Sequence, residues 1–274
     1  MKKLLITLMV CGLVLVGCGG NSGTSDEKEK FVVGMECNYT PFNWQSNDPT
    51  DTSVPLEGAG YADGYDVMIA QRIADELGKE LVVKKVSWDG LGNALQSGEI
   101  DAIIAGMTAS EDRELGIDFT TPYYESEMVM IVRKDDACAN FTDIQQFAGL
   151  NVLGQKGTTY DEIIDQIKDV NHMTPKATYP EMVNSLINGE ADALTAELPV
   201  AEGIISSNPQ LTYITFAEGK GFDVDTTVSI GLREGTRGTD EFNAVQAALD
   251  KISQEERQEL MMKSNEMAPT NVDE

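Results

Sequence analysis

Three short stretches carry side chains that could jointly hold a small zwitterion. In AGMTASEDREL, residues 105–115, a small apolar run ends at Gly106 and is followed by Thr108, Ser110 and Arg113. Arg113 offers a planar fork of N–H donors that matches both oxygens of a carboxylate. Ser110 stands where a helix N-cap is expected, with Glu111 and Asp112 in the first turn, where the helix dipole favours acids. Such a turn would fix the approach of Arg113, and Thr108 with its neighbouring N–H groups adds donors. In GQKGTT, residues 154–159, Gly157 allows close backbone approach, and Thr158 and Thr159 precede a helix whose free N–H groups suit an anion. Glu197, just past ADALTA, could accept from an ammonium. Each has a blander alternative: Arg113 pairing with Asp112 or Glu114 on a solvated face, ordinary capping by the threonines, and a surface acid at Glu197.

Elements that would position these residues alternate along the chain. FVVGM is strand-like from Phe31, and GYDVMIAQRIADELG places Val67, Ile69, Ala70, Ile73, Ala74 and Leu77 at helical spacing before Gly78. LVVKKVSW, IDAIIAG and MVMIVRK read as strands, with a short helix over WDGLGNALQSGE. LNVLGQ opens a second round: helices near Tyr160–Ile167 and Met182–Ile187, strand ADALTA, a helix near Val200–Ser206, strand LTYITF, a late strand TTVSIGLR, and a closing helix over DEFNAVQAALDKISQEERQELMMK. The alternation predicts an α/β fold with largely parallel sheets. LQSGEIDAIIAG and LINGEADALTAE share the frame L-x-x-G-E-x-D-A, a helix end, a glycine cap and a strand entering a core. Two analogous lobes would each deliver a strand end, and in open α/β sheets such ends line the ligand crevice.

Composition narrows the partners. The chain has 274 residues and a formal net charge of −26, with no basic cluster after Lys2-Lys3. Nucleic acid is an unsuitable partner, because phosphate binding needs a basic stripe. Lys2-Lys3 followed by the apolar run Leu4–Val16 has the length of a signal-peptide core, too short to span a bilayer. The run ends in Leu15-Val16-Gly17-Cys18, which resembles the lipobox of bacterial lipoproteins; residues 1–17 would be removed and Cys18 lipidated. Gly19 to Lys30 has no apolar residue and reads as a tether, so residues 18–30 are set outside the fold. The expected location is outside the cytoplasm, lipid-anchored to the cytoplasmic membrane's outer face or to a periplasm-facing membrane in a two-membrane cell. Cys37 and Cys138 remain in a disulfide-permissive setting and are expected as two separate buried thiols rather than a bonded pair. His172, the single histidine, sits in a polar turn without partners for base catalysis, and no metal-ligand cluster or phosphate loop is evident. No cofactor is expected.

With these motifs in order, from about Phe31 to Lys263, the chain resembles the family-3 extracellular solute-binding proteins, the amino-acid receptors of ABC importers. One departure is Met68, where that family usually carries an acid in G-[FY]-D-[VL]-[DE]; its helix position is expected on the outer face. The resemblance implies a two-lobed, periplasmic-binding-protein-like fold of type II with the ligand in the interlobe cleft. Lobe 1 would comprise residues 31–129 and 225–274, and lobe 2 residues 130–224, with hinge strands near Met128–Arg133 and Thr226–Leu232. It implies that Arg113 takes the ligand α-carboxylate, that the loop of Thr158 and Thr159 closes over it, and that Glu197, often Asp in the family, takes the ammonium. By family position Glu36 is the acid of receptors for basic and amide amino acids, and Tyr39 and Trp88 flank the ligand stem. Gln155 could reach in from lobe 2, while Trp44 could be site or core. An acid with two aromatic faces suits a guanidinium or ammonium.

The implied activity is binding of arginine or lysine, with glutamine next, and delivery to an ABC permease by a lipid-anchored monomer without catalysis. Two alternatives stand beside it: a prephenate-type dehydratase on the same fold, and a ligand-sensing partner of a separate membrane protein. The dehydratase would need further cations and an acid–base group, which the matched positions lack.

Overall fold

The computed structural model describes residues 28–269; the expected leader, Cys18 and most of the tether lie outside the described residues. The first round of the chain runs through β1 (Lys30–Met35), β2 (Asn38–Tyr39), β3 (Asn43–Ser46), β4 (Val54–Pro55), β5 (Tyr61–Asp63), α1 (Tyr65–Leu77), β6 (Glu80–Lys85), α2 (Leu91–Ser97), β7 (Ala102–Ile103), α3 (Glu111–Glu114) and β8 (Ile117–Glu125). The second holds β9 (Met128–Arg133), β10 (Asn151–Leu153), α4 (Thr159–Glu162), β11 (Asn171–His172), α5 (Tyr179–Ile187), β12 (Ala193–Glu197), α6 (Leu198–Ser207) and β13 (Leu211–Ile214). The last elements are β14 (Thr227–Arg233), α7 (Asp240–Asp250) and α8 (Gln254–Met267).

These strands form two five-stranded sheets of the same design, ordered β6-β1-β7-β14-β8 and β11-β10-β12-β9-β13. In each, the first three strands pair in parallel and the last two antiparallel. The expectation of largely parallel sheets is therefore corrected to mixed ones. The antiparallel strands are those beside the passages between sheets, where the chain must turn back. A small third sheet, β2-β3-β5-β4, follows the first strand and was not foreseen. It carries the buried Trp44, opposite Asn38 and Asp63, away from the ligand cavity.

The two passages between the sheets lie beside the expected hinge segments. β9 pairs only with β12 and β13, and β14 only with β7 and β8. Neither strand crosses from one sheet to the other; the residues before them do. Thr226 Oγ1 donates to the Ser126 carbonyl at 2.6 Å and ties the two passages together.

The repeated frame folds alike in both halves. Gly98 and Gly189 end their helices at φ 74° and 77°, in the left-handed region that suits glycine. The next acid then splices its strand to a neighbour. Asp101 exchanges backbone and side-chain bonds with Val32, at 2.7 and 2.8 Å, and Asp192 does so with Asn151, at 2.8 and 2.9 Å. Cys37 and Cys138 are free, buried and in different apolar clusters.

Several helix expectations change. Met68 is buried rather than on an outer face, because α7 and α8 cover α1, whose first six residues, Tyr65–Ala70, are all buried. The closing helix is two, broken before Ser253, whose side chain accepts from Glu256 N–H. The helix expected from Tyr160 is α4 followed by a tighter 3₁₀ turn, Ile163–Gln166.

Candidate functional site

One cavity between the lobes is lined by Glu36, Tyr39, Trp88, Gly106, Thr108, Arg113, Gln155, Thr158 and Thr159, with Tyr160. Nine of the ten ligand-site residues expected from sequence thus meet there; the tenth, Glu197, does not line it. The two lobes contribute from matched places. Lobe 1 supplies the segments following β1, β6 and β7, and lobe 2 the loop following β10 together with the start of α4. Gly106 has φ 62°, and a Cβ there would stand 2.8 Å from the Tyr39 ring, so glycine is required for the loop to pass.

Arg113 is the cation of this cavity. It is half-buried and has no carboxylate within 4.0 Å among the described residues; Glu114 pairs instead with Arg237. Its guanidinium donates to the Thr108 carbonyl at 2.9 Å and, across the cleft, to the Gly157 carbonyl at 3.3 Å. It also lies 5.2 Å from the Trp88 ring centroid, a cation–π arrangement. Burial lowers its pKa, opposed by the fields of Tyr160 and Glu162. Ser110 occupies the N-cap position of α3, but its side chain makes no capping bond; its carbonyl accepts from Glu114 N–H at 2.9 Å. Arg113 is held by carbonyls rather than by a side-chain cap.

The opposite wall is acidic. Glu36 is buried, and Gln155 Nε2 bridges its Oε2 at 3.0 Å to the Ala177 carbonyl at 2.9 Å. Burial raises the Glu36 pKa, while the Gln155 bond and the field of Lys85 lower it. Thr158 caps α4: its hydroxyl donates to the Gln155 carbonyl at 2.8 Å and accepts from Asp161 N–H at 3.3 Å.

Glu197 sits one layer deeper. Its Oε1 accepts from Tyr39 OH at 2.6 Å and Tyr160 OH at 2.7 Å, so one lobe-1 and one lobe-2 tyrosine stand between it and the cavity. Its Oε2 and Ser126 Oγ are both buried and make no well-formed hydrogen bond among the described residues, yet the Ser126 hydroxyl lies near enough to the carboxylate to lower its pKa. Burial raises the Glu197 pKa to about 7, against the Tyr39, Tyr160 and Ser126 hydroxyls, which lower it. Tyr160 is the residue that the sequence reading missed. It follows Thr159 in GTTYDE, and nothing in the spacing tells an inward first-turn aromatic from an outward one.

The cleft is shut. Besides the Arg113–Gly157 and Gln155–Glu36 bonds, Trp88 Nε1 donates to the Gly157 carbonyl at 3.0 Å, and Lys156 pairs with Asp89. These bonds leave room among the lining residues for roughly one water. A ligand larger than water must therefore part the lobes and replace these bonds. His172, outside the cavity, does have partners: its ring nitrogens meet Asp165 at 2.8 Å and Asp161 at 3.0 Å. Among the described residues no cluster of His, Cys, Asp and Glu could hold a metal ion, and no helix is long and apolar enough to cross a membrane.

Residues 31–265 match the model of the bacterial extracellular solute-binding proteins, family 3. The chain belongs to that family. The relatives and solved structures it is similar to are solute-binding proteins rather than enzymes. The chain is 26% identical to the arginine-binding extracellular protein ArtP of Bacillus subtilis, over 89% of this chain and 91% of that one. It is 27% identical to the L-cystine-binding protein TcyJ of Escherichia coli (strain K12), over 84% and 79% respectively. Among solved structures it is similar to the amino acid ABC transporter substrate-binding protein AbpA of Streptococcus pneumoniae bound to L-arginine. There the TM-score is 0.75 at 25% identity, covering 87% of this chain and 95% of the other. The two-lobed α/β fold is thus that of a family-3 solute-binding protein.

Proposed function

We propose that this solute-binding protein is a receptor for a free polar amino acid, arginine or lysine first and glutamine next, delivered to an ABC importer permease. The observation that carries the reading is the polarity of one closed cavity: Arg113, without an ion pair, on one wall and the buried carboxylate of Glu36 on another. A ligand carboxylate would replace the Thr108 and Gly157 carbonyls at the guanidinium fork. A cationic or amide side chain would replace the Gln155 amide at Glu36. The Oε2 of Glu197, buried with only Ser126 Oγ near the carboxylate and no well-formed bond among the described residues, supports this residue as the ammonium acceptor, since a buried oxygen left short of donors costs free energy. To reach Glu197 the ammonium has to pass the Tyr39 and Tyr160 hydroxyls.

The Gln155–Glu36 bond keeps glutamine as the specific second reading, because an amide already satisfies that carboxylate. A closed form stabilised by ligand is what a permease would read, with Cys18 as the lipid anchor.

A thermal-shift panel of amino acids tests the reading. Ligand at about 100 times its Kd should add about 2.7 kcal/mol, at roughly 2–4 °C per kcal/mol for a chain of this size. Arginine or lysine should give the largest shift. No shift with these while cystine or glutamate stabilises would sink the cationic assignment. Glu36→Ala should spare neutral ligands and weaken cationic ones.

A further inference from the structure

Asp66, the acid of GYDVM, does not line the cavity, yet it is fully buried and both its oxygens are engaged. Oδ1 accepts from Tyr123 OH and Oδ2 from Asn43 Nδ2, each at 2.7 Å. Neither partner ends the chain of bonds. Tyr123 OH accepts from Gly106 N–H at 3.0 Å, and Asn43 Oδ1 accepts from Cys37 N–H at 2.7 Å. Two relays thus leave one carboxylate and end on two different cavity loops. One loop carries Gly106, Thr108 and Arg113; the other carries Glu36 and Tyr39.

Both loops need such support. Cys37 has φ 58°, a left-handed conformation that is disfavoured for a non-glycine residue and needs support from its surroundings. It directly follows Glu36 and sets the bend from which that side chain enters the cleft. Gly106 passes the Tyr39 ring too closely for any Cβ. The relay polarity is also fixed. Tyr123 OH accepts from Gly106, so its single proton must point at Asp66; Asn43 uses its oxygen on Cys37, so its NH₂ must face Asp66. Residue 66 therefore meets two donors, and only an acceptor-only group, an ionised carboxylate, matches both.

We infer that Asp66 is a positioning residue for the ligand cavity, setting the Arg113 loop through Tyr123 and the Glu36 loop through Asn43. This deepens the amino-acid reading of the cavity and rests on it. Burial, with the field of Glu197, raises Asp66 to about 7 against the Tyr123 and Asn43 bonds, which lower it, so the same two donors that hold the loops oppose protonation of their hub.

The test is an exchange of side chains. Asp66→Asn turns an amide donor toward one of two existing donors and should weaken arginine binding by roughly 10- to 100-fold, the size expected when a buried hydrogen-bond partner is lost. Asp66→Asn combined with Asn43→Asp rebuilds every bond. The new carboxylate at 43 still accepts from Cys37 N–H and now accepts from the new amide at 66, whose oxygen still accepts from Tyr123. Affinity should return to within about threefold of the parent. The branches separate as well. Tyr123→Phe should weaken arginine, lysine and glutamine by one common factor, whereas Asn43→Ala should change the ratio of cationic to neutral ligands. Unchanged binding in Asp66→Asn overturns the inference. So does a folded exchange variant that binds no better than the single one, or two branch variants whose losses are uniform and simply track Tm. If the single variant does not fold, the exchange variant alone decides. If the parent protein binds no amino acid, the functional reading fails, and amide exchange decides the relay: Tyr123→Phe must speed exchange at Gly106, and an unchanged rate overturns it.

Discussion

β7 and β12 hold the same middle place in their sheets and begin from the same L-x-x-G-E-x-D-A frame, yet they end in opposite chemistry. β7 lasts two residues, and the chain leaves it in an open loop that carries Gly106, Thr108 and then Arg113 on a half-buried turn. β12 runs five residues, all buried, and its last is Glu197, from which α6 starts at once. The cation is thus placed on a loop at the cavity wall, while the anion is fixed at a rigid strand end behind two tyrosines. The frame itself is scaffold: Asp101 and Asp192 splice strands and, among the described residues, make no hydrogen bond or ion pair to a cavity residue. Lobe 2 adds one support, Arg133, which donates to the Leu186 and Ala191 carbonyls, each at 2.6 Å, and meets Asp192 at 3.2 Å. What the pair teaches is that a repeated local motif fixes where a strand enters, and that the residues after it fix what chemistry emerges.

The largest expected effect lies on the lobe-1 side. Arg113→Ala should cut amino-acid affinity by roughly 10²- to 10³-fold, the equivalent of about 3–4 kcal/mol for removing one partner of a desolvated ion pair. Calorimetric titration measures it; a loss under tenfold would mean that carbonyl and threonine contacts, not the fork, hold the ligand.

On the lobe-2 side, Glu197→Gln should weaken the ligand yet stabilise the empty protein at alkaline pH. The folded-state pKa is raised from 4.5 to about 7, so this group's contribution to stability is fully present below pH 4.5 and is lost as pH rises through about 7. The variant should escape a penalty on the order of 3 kcal/mol at most above pH 7. Asp66, raised from 3.8 to about 7, acts in the same direction, so the slope should shrink rather than vanish. Denaturant melts between pH 4 and 8 check this, and a parental slope in the variant would refute it.

The frame acids offer a smaller and sharper contrast. Asp101→Asn should cost about 1 kcal/mol and Asp192→Asn about 2, because only the latter also leaves Arg133 short of a partner. Neither should alter ligand preference; equal Tm losses would remove the asymmetry between the lobes. Smallest is the exposed Lys156–Asp89 pair across the cleft, with side chains 59% and 52% exposed. Lys156→Ala should change affinity by less than about 1 kcal/mol, and less still at high salt.

Much of the site was legible because its residues sit in short motifs whose local geometry is set within a few positions. Glycines at Gly106 and Gly157, a threonine cap at Thr158 and a lone arginine after a bend each point to chemistry without any long-range knowledge. Glu197 was legible as an acid at a strand end, but not as an acid sealed by Tyr39 and Tyr160, because that seal joins residues 158 and 37 positions apart. Met68 misled for a related reason: α7 and α8, which arrive almost two hundred residues later, bury a helix face that periodicity alone leaves open.

The sequence by itself determined the class of the molecule: alternating strands and helices, two copies of one entry frame, and one cation with two acids at motif positions. Only the tertiary structure decided how those charges stand to one another. It faces Arg113 with carbonyls instead of an acid, hands Glu36 to Gln155, and hides Glu197 one layer down. Local spacing fixes bends and caps because they depend on neighbouring dihedrals. Burial and pairing depend on chain that returns from far away, and it is burial that turns an ordinary glutamate into one poised near pH 7.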